Sequence, residues 1–206
     1  MNNSPSEPPS RLVVVAASAG GLSALKTLLS HLPASFPAPL VIVLHLSPDH
    51  RSHMAEILGR RTALRVKQAE EGDALEAGTV YCAPPDLHVL VTEKRTLTLT
   101  HTGQVQYVRP SADALFGSAA EVYGADVLAV VLSGTGSDGR GGVKDVSARG
   151  GTVLAQEEAS AEHFGMPRAA IQTGVVDFAL PLEGLAEKLL ELTHPERSDT
   201  NLEGTP

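Results

Sequence analysis

Apolar residues along this chain alternate between two patterns. Short, nearly uninterrupted runs at Leu12–Ala17, Leu40–His45, Thr79–Ala83, Val127–Leu132, Thr152–Ala155 and Val176–Leu180 read as buried strands. Between them, apolar residues recur at helical spacing. Leu22, Leu25, Leu28, Leu29 and Leu32 form one apolar face. Leu115, Phe116, Ala119, Ala120 and Tyr123 form another, behind Ser111 as N-cap. Leu182, Leu185, Ala186, Leu189 and Leu190 line the last helix, and Met54, Ile57 and Leu58 mark a short one after the polar loop Leu46–Ser52. Gly139–Arg149 reads as a helix closed by Gly150 and Gly151, and Pro167 opens a short helix as an N1 proline would. In the middle of the chain Leu64–Ala69 predicts a further strand. His88–Val91 and Leu97–His101 predict an antiparallel hairpin. The alternation implies a three-layer α/β/α fold: a mainly parallel, doubly wound, Rossmann-like sheet with an antiparallel β-hairpin insertion.

At 206 residues the chain suits one folded domain, expected over 11–193, with a disordered polar lead at 1–10 and a disordered tail at 194–206. The formal net charge of −8, with no long basic run, argues against a nucleic-acid or anionic-membrane partner. The one cysteine, Cys82, lies in the apolar run Val80–Ala83 and reads as a buried structural thiol. A lone cysteine, no signal peptide and no apolar stretch of about 18 residues give the cytoplasm as the expected location, without membrane insertion.

Ser18 ends the first strand and is followed by Ala19-Gly20-Gly21 and a helix. That turn leaves the hydroxyl at the C-terminal rim of the sheet, where open α/β sheets hold ligands. It also directs the unpaired N–H groups of the helix start at whatever approaches the serine. His45 ends the next strand. If the two strands are neighbours, their ends lie about 4.8 Å apart, within reach for a nucleophile and its base. Asp138, in the loop Gly134-Thr135-Gly136-Ser137-Asp138-Gly139, is the candidate to orient the imidazole. Each residue has a plainer reading. Ser18 could cap the helix or cradle a phosphate, His45 could be an ordinary strand-end histidine, and Asp138 could be a helix cap. The glycine-rich loop also fits GxGxxG, with Glu157 and Glu158 downstream, which keeps a nucleotide-binding module open. His45, Asp49, His50 and His53 have metal-ligand chemistry. No second ligand group is marked elsewhere, so solvated loop residues are expected in place of a metal. His31, His88, His101 and His163 read as turn, hairpin or surface residues.

Six blocks, in order, resemble the catalytic domain of the bacterial chemotaxis protein-glutamate methylesterases. They are Ala17–Gly21, His45-Leu46, Gly78–Pro85, Arg109–Phe116, Gly134–Gly139 and Phe164–Arg168, and the likeness runs from about Leu12 to Leu192. The resemblance implies a serine hydrolase that removes methyl groups from glutamate γ-methyl esters on chemoreceptor helices and also deamidates receptor glutamines. It implies Ser18 as nucleophile, His45 as base and Asp138 as its orienting group. The backbone N–H groups of Ala19 and Thr135 would form the oxyanion hole. Arg109, Met166 and Arg168 would border the substrate pocket, with Arg109 and Arg168 equally open to the plainer reading that they tie loops together. No cofactor is implied. The partners would be a methylated chemoreceptor or a related signalling protein, with a separate receiver or methyltransferase protein as regulator. A catalytically silent receptor-binding module is the alternative if the three side chains are misaligned. The chain departs from the family pattern at Ala16, where members usually have Gly, and at Thr135, where many have Met. The usual N-terminal receiver domain has no counterpart in Met1–Ser10, so a stand-alone esterase or a fragment is expected.

Overall fold

The computed structural model describes residues 9–45, 53–105 and 107–194. The expected lead and tail fall outside them, apart from Pro9, Ser10 and His194, as does the loop Leu46–Ser52. Nine strands and six α-helices follow one another among the described residues. The strands are β1 (Leu12–Ala17), β2 (Leu40–Leu44), β3 (Arg65–Gln68), β4 (Thr79–Cys82), β5 (His88–Val91), β6 (Leu97–Thr100), β7 (Val127–Val131), β8 (Thr152–Gln156) and β9 (Phe178–Leu180). The helices are α1 (Gly21–Ser30), α2 (Met54–Gly59), α3 (Ala112–Tyr123), α4 (Arg140–Ala148), α5 (Gly165–Ile171) and α6 (Leu182–Thr193).

Seven strands form one sheet in the order β3-β4-β2-β1-β7-β8-β9, and every pairing in it is parallel. β5 and β6 form the antiparallel hairpin. The doubly wound architecture read from the apolar runs is therefore the one found. The chain moves outward from β1 through β2 on one side and from β7 through β8 and β9 on the other, so the winding reverses between β1 and β7. Open α/β sheets have their crevice at that reversal, beyond the carboxyl ends of the strands.

The period-2 alternation of the strands sorts their side chains into two cores. Val13, Val15 and Ala17 of β1, with Leu40, Ile42 and Leu44 of β2, pack against Leu25, Leu28 and Leu29 of α1 and Leu185 and Leu189 of α6. Leu12, Val14 and Ala16, with Val41 and Val43, face α3, α4, α5 and the hairpin through Leu115, Phe116, Val143, Met166 and Val89. Each fully buried Leu, Ile or Val of these layers contributes roughly 1.5–3 kcal/mol relative to exposure. The next residue on each strand, Ser18 on β1 and His45 on β2, falls by the same alternation on the α3–α4 side. The two edge strands differ from the rest: β3 keeps Arg65, Lys67 and Gln68 at least partly exposed, and no residue of β9 is fully buried.

Some boundaries differ from those read in sequence. α5 begins at Gly165, so Pro167 is its third residue, not its first. The missing N–H is harmless there too, because first-turn amides have no intrahelical acceptor. The last strand starts at Phe178, because Val176 packs at the sheet margin and Asp177 turns its carboxylate onto the Val153 N–H. His88 is not a surface residue: it is 1 % exposed under the loop that precedes α3. No helix among the described residues is long and apolar enough to cross a membrane.

α3 and α4 pack closely because the first turn of α4 carries Gly141 and Gly142. A Cβ at position 142 would come within 2.5 Å of the Phe116 Cβ and 3.2 Å of the Asp113 Cα. Gly142→Ala is therefore expected to destabilise the fold by about 1–3 kcal/mol, although alanine is the better helix former. Urea unfolding of the two proteins measures the difference.

Candidate active site

β1 and β2 are parallel neighbours, with Ala17 opposite Leu44. Ser18 and His45 occupy the next position on each strand. The register continues past the strand ends: the His45 N–H donates to the Ala17 carbonyl at 3.1 Å, and the Ser18 N–H donates to the Ser133 carbonyl of the β7 exit at 3.0 Å. Ser18 is thus anchored from both sides at the point where the winding reverses. It does not cap α1. The N-cap of that helix is Gly20, in the left-handed conformation at φ 73°, with no side-chain cap. A side chain at Gly20 would also meet the Ser133 hydroxyl at 2.7 Å.

The imidazole of His45 is bonded through Nε2 to Oδ2 of Asp138 at 2.9 Å, with the two side chains 15 % and 5 % exposed. Asp138 does not cap the helix that follows it, whose N-cap is Gly139. It reaches across to the start of α3. Oδ1 accepts from the Ser111 hydroxyl at 2.8 Å and the Asp113 N–H at 3.2 Å, and Oδ2 accepts from the Ala112 N–H at 2.6 Å. With His45, four donors fill the four acceptor positions of the carboxylate. Burial pushes the Asp138 carboxyl up. The bonds from His45, Ala112, Ser111 and Asp113 outweigh burial together and hold it below its ordinary value. Asp138 is therefore a carboxylate and can only accept. It fixes the neutral imidazole with its proton on Nε2 and its lone pair on Nδ1.

The loop that carries Asp138 is itself braced. Gly134 has no room for a side chain, because a Cβ there would collide with the Met166 sulfur and lie 2.9 Å from the Ser18 Cβ. Met166, 1 % exposed, thus sits behind Gly134 beside the serine. Its N–H donates to the Gly134 carbonyl at 2.8 Å. Among the described residues, nothing accepts from the N–H groups of Ala19 and Thr135. Thr135 is exposed, and Ala19 is partly so. Arg168 is exposed on α5, its guanidinium 5.9 Å from the Phe164 ring centroid. Arg109 is not free at a pocket mouth. It donates twice to Oδ1 of Asp86 and once to the Thr102 carbonyl, tying two loops together. Its guanidinium, with His101, holds the Asp86 carboxyl below its usual value.

The remaining candidates do not join the site. His53 pairs with Glu56 at 3.5 Å, and Asp49 and His50 lie outside the described residues. Among the described residues no group of acidic, histidine or cysteine side chains could hold a metal ion. The phosphate-cradle reading of Gly134–Gly139 meets an obstacle: the first N–H groups of α4 are already taken by the Asp113 carboxylate. Cys82 is buried, and burial pushes its thiol up to about 12. That makes it an inert core side chain.

The family model for CheB methylesterase matches residues 13–189. The chain belongs to that family. A CheB-family relative from Leptospira interrogans is 38 % identical over 180 residues, covering 87 % of this chain and 93 % of its own length. A Pyrococcus abyssi relative, named protein-glutamate methylesterase/protein-glutamine glutaminase, is 38 % identical over 201 residues. The match covers 96 % of this chain but only 55 % of the relative. The crystal structure of the Thermotoga maritima CheB methylesterase catalytic domain superposes with a TM-score of 0.85 at 37 % identity, covering 88 % of this chain and 98 % of that one. The sheet order and the hairpin are thus those of a CheB catalytic domain.

Four supporting roles escaped the sequence reading. Ser133 donates its hydroxyl to the Ala19 carbonyl at 2.8 Å and accepts the His163 N–H at 2.9 Å, so it holds the turn after Ser18. Gln156 is 1 % exposed; its oxygen takes the Ser133 N–H and its amide nitrogen donates to the Ser160 carbonyl. His88 accepts the Ser111 N–H on Nδ1 at 3.1 Å, and its Nε2 donates to the Gly103 carbonyl. Ser111 was legible as an N-cap, but not as a donor to Asp138. A polar residue ending an apolar strand, as Gln156 and Ser133 do, is the signal that could have found two of these.

Asp138 also sets a pH dependence. Its folded value lies below its unfolded value, so its stabilisation is complete above the ordinary carboxylate range and is lost as pH falls through the folded value. The stability difference between the parent and Asp138→Asn should shrink as pH drops below about 4, read by urea unfolding at stepped pH.

Proposed function

We propose that this chain is a serine hydrolase that cleaves glutamate γ-methyl esters on methylated chemoreceptors or a related signalling protein, working in the cytoplasm. The observation that carries the reading is the convergence at one rim. Ser18 and His45 stand at adjacent register positions on the same side of the sheet, with Asp138 bonded to the imidazole. Membership of the CheB family and the names of its relatives supply the substrate class.

Ser18 attacks the ester carbonyl while Nδ1 of His45 takes its proton. The imidazolium that forms keeps its Nε2–H on Asp138, whose negative charge stabilises it. The tetrahedral oxyanion is met by the N–H groups of Ala19 and Thr135, each worth about 3 kcal/mol in the transition state. The side chain at 135 does not enter this role, so threonine there leaves the hole intact. Collapse of the intermediate breaks the ester C–O bond, and His45 hands its proton to departing methanol. Water then attacks the acyl-serine with His45 as base, releasing the glutamate carboxylate and restoring Ser18. With an amide in place of the ester the same steps release ammonia from glutamine, the second activity in the relatives' names. The exposed Arg168 borders the substrate and suits an acidic partner surface, while Met166, buried behind Gly134, shapes the floor beside Ser18 without reaching the substrate. A separate receiver or methyltransferase protein is the regulator expected for this reading.

Ser18→Ala should lower methanol release from a methylated receptor fragment by at least about 10³-fold while leaving thermal stability unchanged. Undiminished turnover would remove the serine mechanism. A parent protein that co-sediments with methylated receptor but releases no methanol would instead mark a binding module.

A further inference from the structure

The N-termini of α3 and α4 face each other, and each is filled by a carboxylate carried at the start of the other. Asp138, just before α4, takes the N–H groups of Ala112 and Asp113 at the start of α3. Asp113, in the first turn of α3, takes the N–H of Gly142 at 2.7 Å, and the N–H groups of Gly141 and Gly139 also point to its carboxylate. The approach is close enough that a Cβ at Gly141 would stand 3.2 Å from the Asp113 carboxylate.

This crossing has a consequence for the loop between β7 and α4. Gly136 and Gly139 both adopt positive φ, conformations that glycine takes without a Cβ penalty, so the turn shape is open to this sequence but must be held by its partners. One end is fixed at Ser133 and Gly134 by β1 and by the Phe164 segment. The other end is held twice: the Asp138 carboxylate is gripped by the start of α3, and Asp113 bonds where α4 begins, including at Gly139, the residue next to Asp138. Burial and the neighbouring Asp138 charge both work against the Asp113 carboxylate. Together they raise its carboxyl above the ordinary value, and the three N–H groups it fills offset that rise in part.

We propose that Asp113 is a positioning residue for the reaction: by filling the N-terminus of α4 it fixes the turn that presents Asp138 to His45. The inference rests on the assignment of Ser18, His45 and Asp138 as the reacting constellation. Asp113 acts through Asp138 and is not itself a catalytic residue. Displacing a reacting group by about 1 Å can cost on the order of 10²-fold in rate. Loss of the brace should therefore appear in kcat and leave substrate binding alone.

The test compares the full chain with Asp113→Ala and Asp113→Asn. Methanol release is measured on a methylated receptor fragment, with the low-field proton NMR signal of the His45–Asp138 hydrogen bond as a second readout. Asp113→Ala should lose about 10- to 100-fold in kcat, with KM within about twofold, and the hydrogen-bond signal should broaden or shift. Asp113→Asn keeps the shape and one acceptor oxygen. It should fold like the parent and lose about three- to tenfold in kcat. Should Asp113→Ala fail to fold, Asp113→Asn alone decides. Parental kcat and a parental signal in a folded variant would overturn the proposal and leave Asp113 a helix cap only. If the parent itself releases no methanol, the esterase reading fails. The NMR signal still decides whether Asp113 positions Asp138.

Discussion

The site depends on keeping a nearly dry carboxylate ionised beside an imidazole. A buried carboxylate with unfilled lone pairs would take up a proton or pull water in. Asp138 avoids both because α3 begins with two outward N–H groups and a serine hydroxyl, all aimed at it. The helix start supplies partial positive charge as well as hydrogen bonds. The fourth acceptor position is left for His45. The carboxylate is therefore ordered before any substrate arrives, and the tautomer of the base is ordered with it.

Around that contact the fold is arranged by simple geometry. Parallel pairing of β1 with β2 brings two strand ends level, and the period-2 alternation puts the next side chain of each on the same side of the sheet. The winding reversal between β1 and β7 opens space beyond those ends. Ser133 closes the other flank, joining the β7 exit to the turn after Ser18 and to the segment before α5. Three strand-to-helix corners converge because one sheet rim is where they all emerge.

Much of this was legible in the chain. All-apolar runs such as Leu12–Ala17, six residues long and rich in valine, read as strands covered on both faces, and leucines at helical spacing between them read as crossover helices. That alternation implies a mainly parallel sheet. Residues ending such strands, Ser18 and His45, are exposed to chemistry by position alone. Asp138 was legible as polar chemistry within a glycine-rich loop, but its plainer reading as the cap of its own helix was wrong in an instructive way. The residue caps a helix, but the one that precedes it in sequence. Pro167 and Val176 show the usual limit on boundaries: nothing local distinguishes the first from the third residue of a helix, or a strand start from a packed approach to it.

The linear chain by itself determined the alternating architecture, the rim positions of Ser18 and His45, and the family likeness, because burial period and turn chemistry are properties of neighbours along the backbone. Only the tertiary structure decided which helix Asp138 caps, that His88 and Gln156 are buried partners of the site, and that Arg109 is committed to Asp86. Those facts depend on which polar groups meet across long sequence separations. A hydrogen bond is satisfied by whatever donor packing brings within about 3 Å, and no local pattern names that donor.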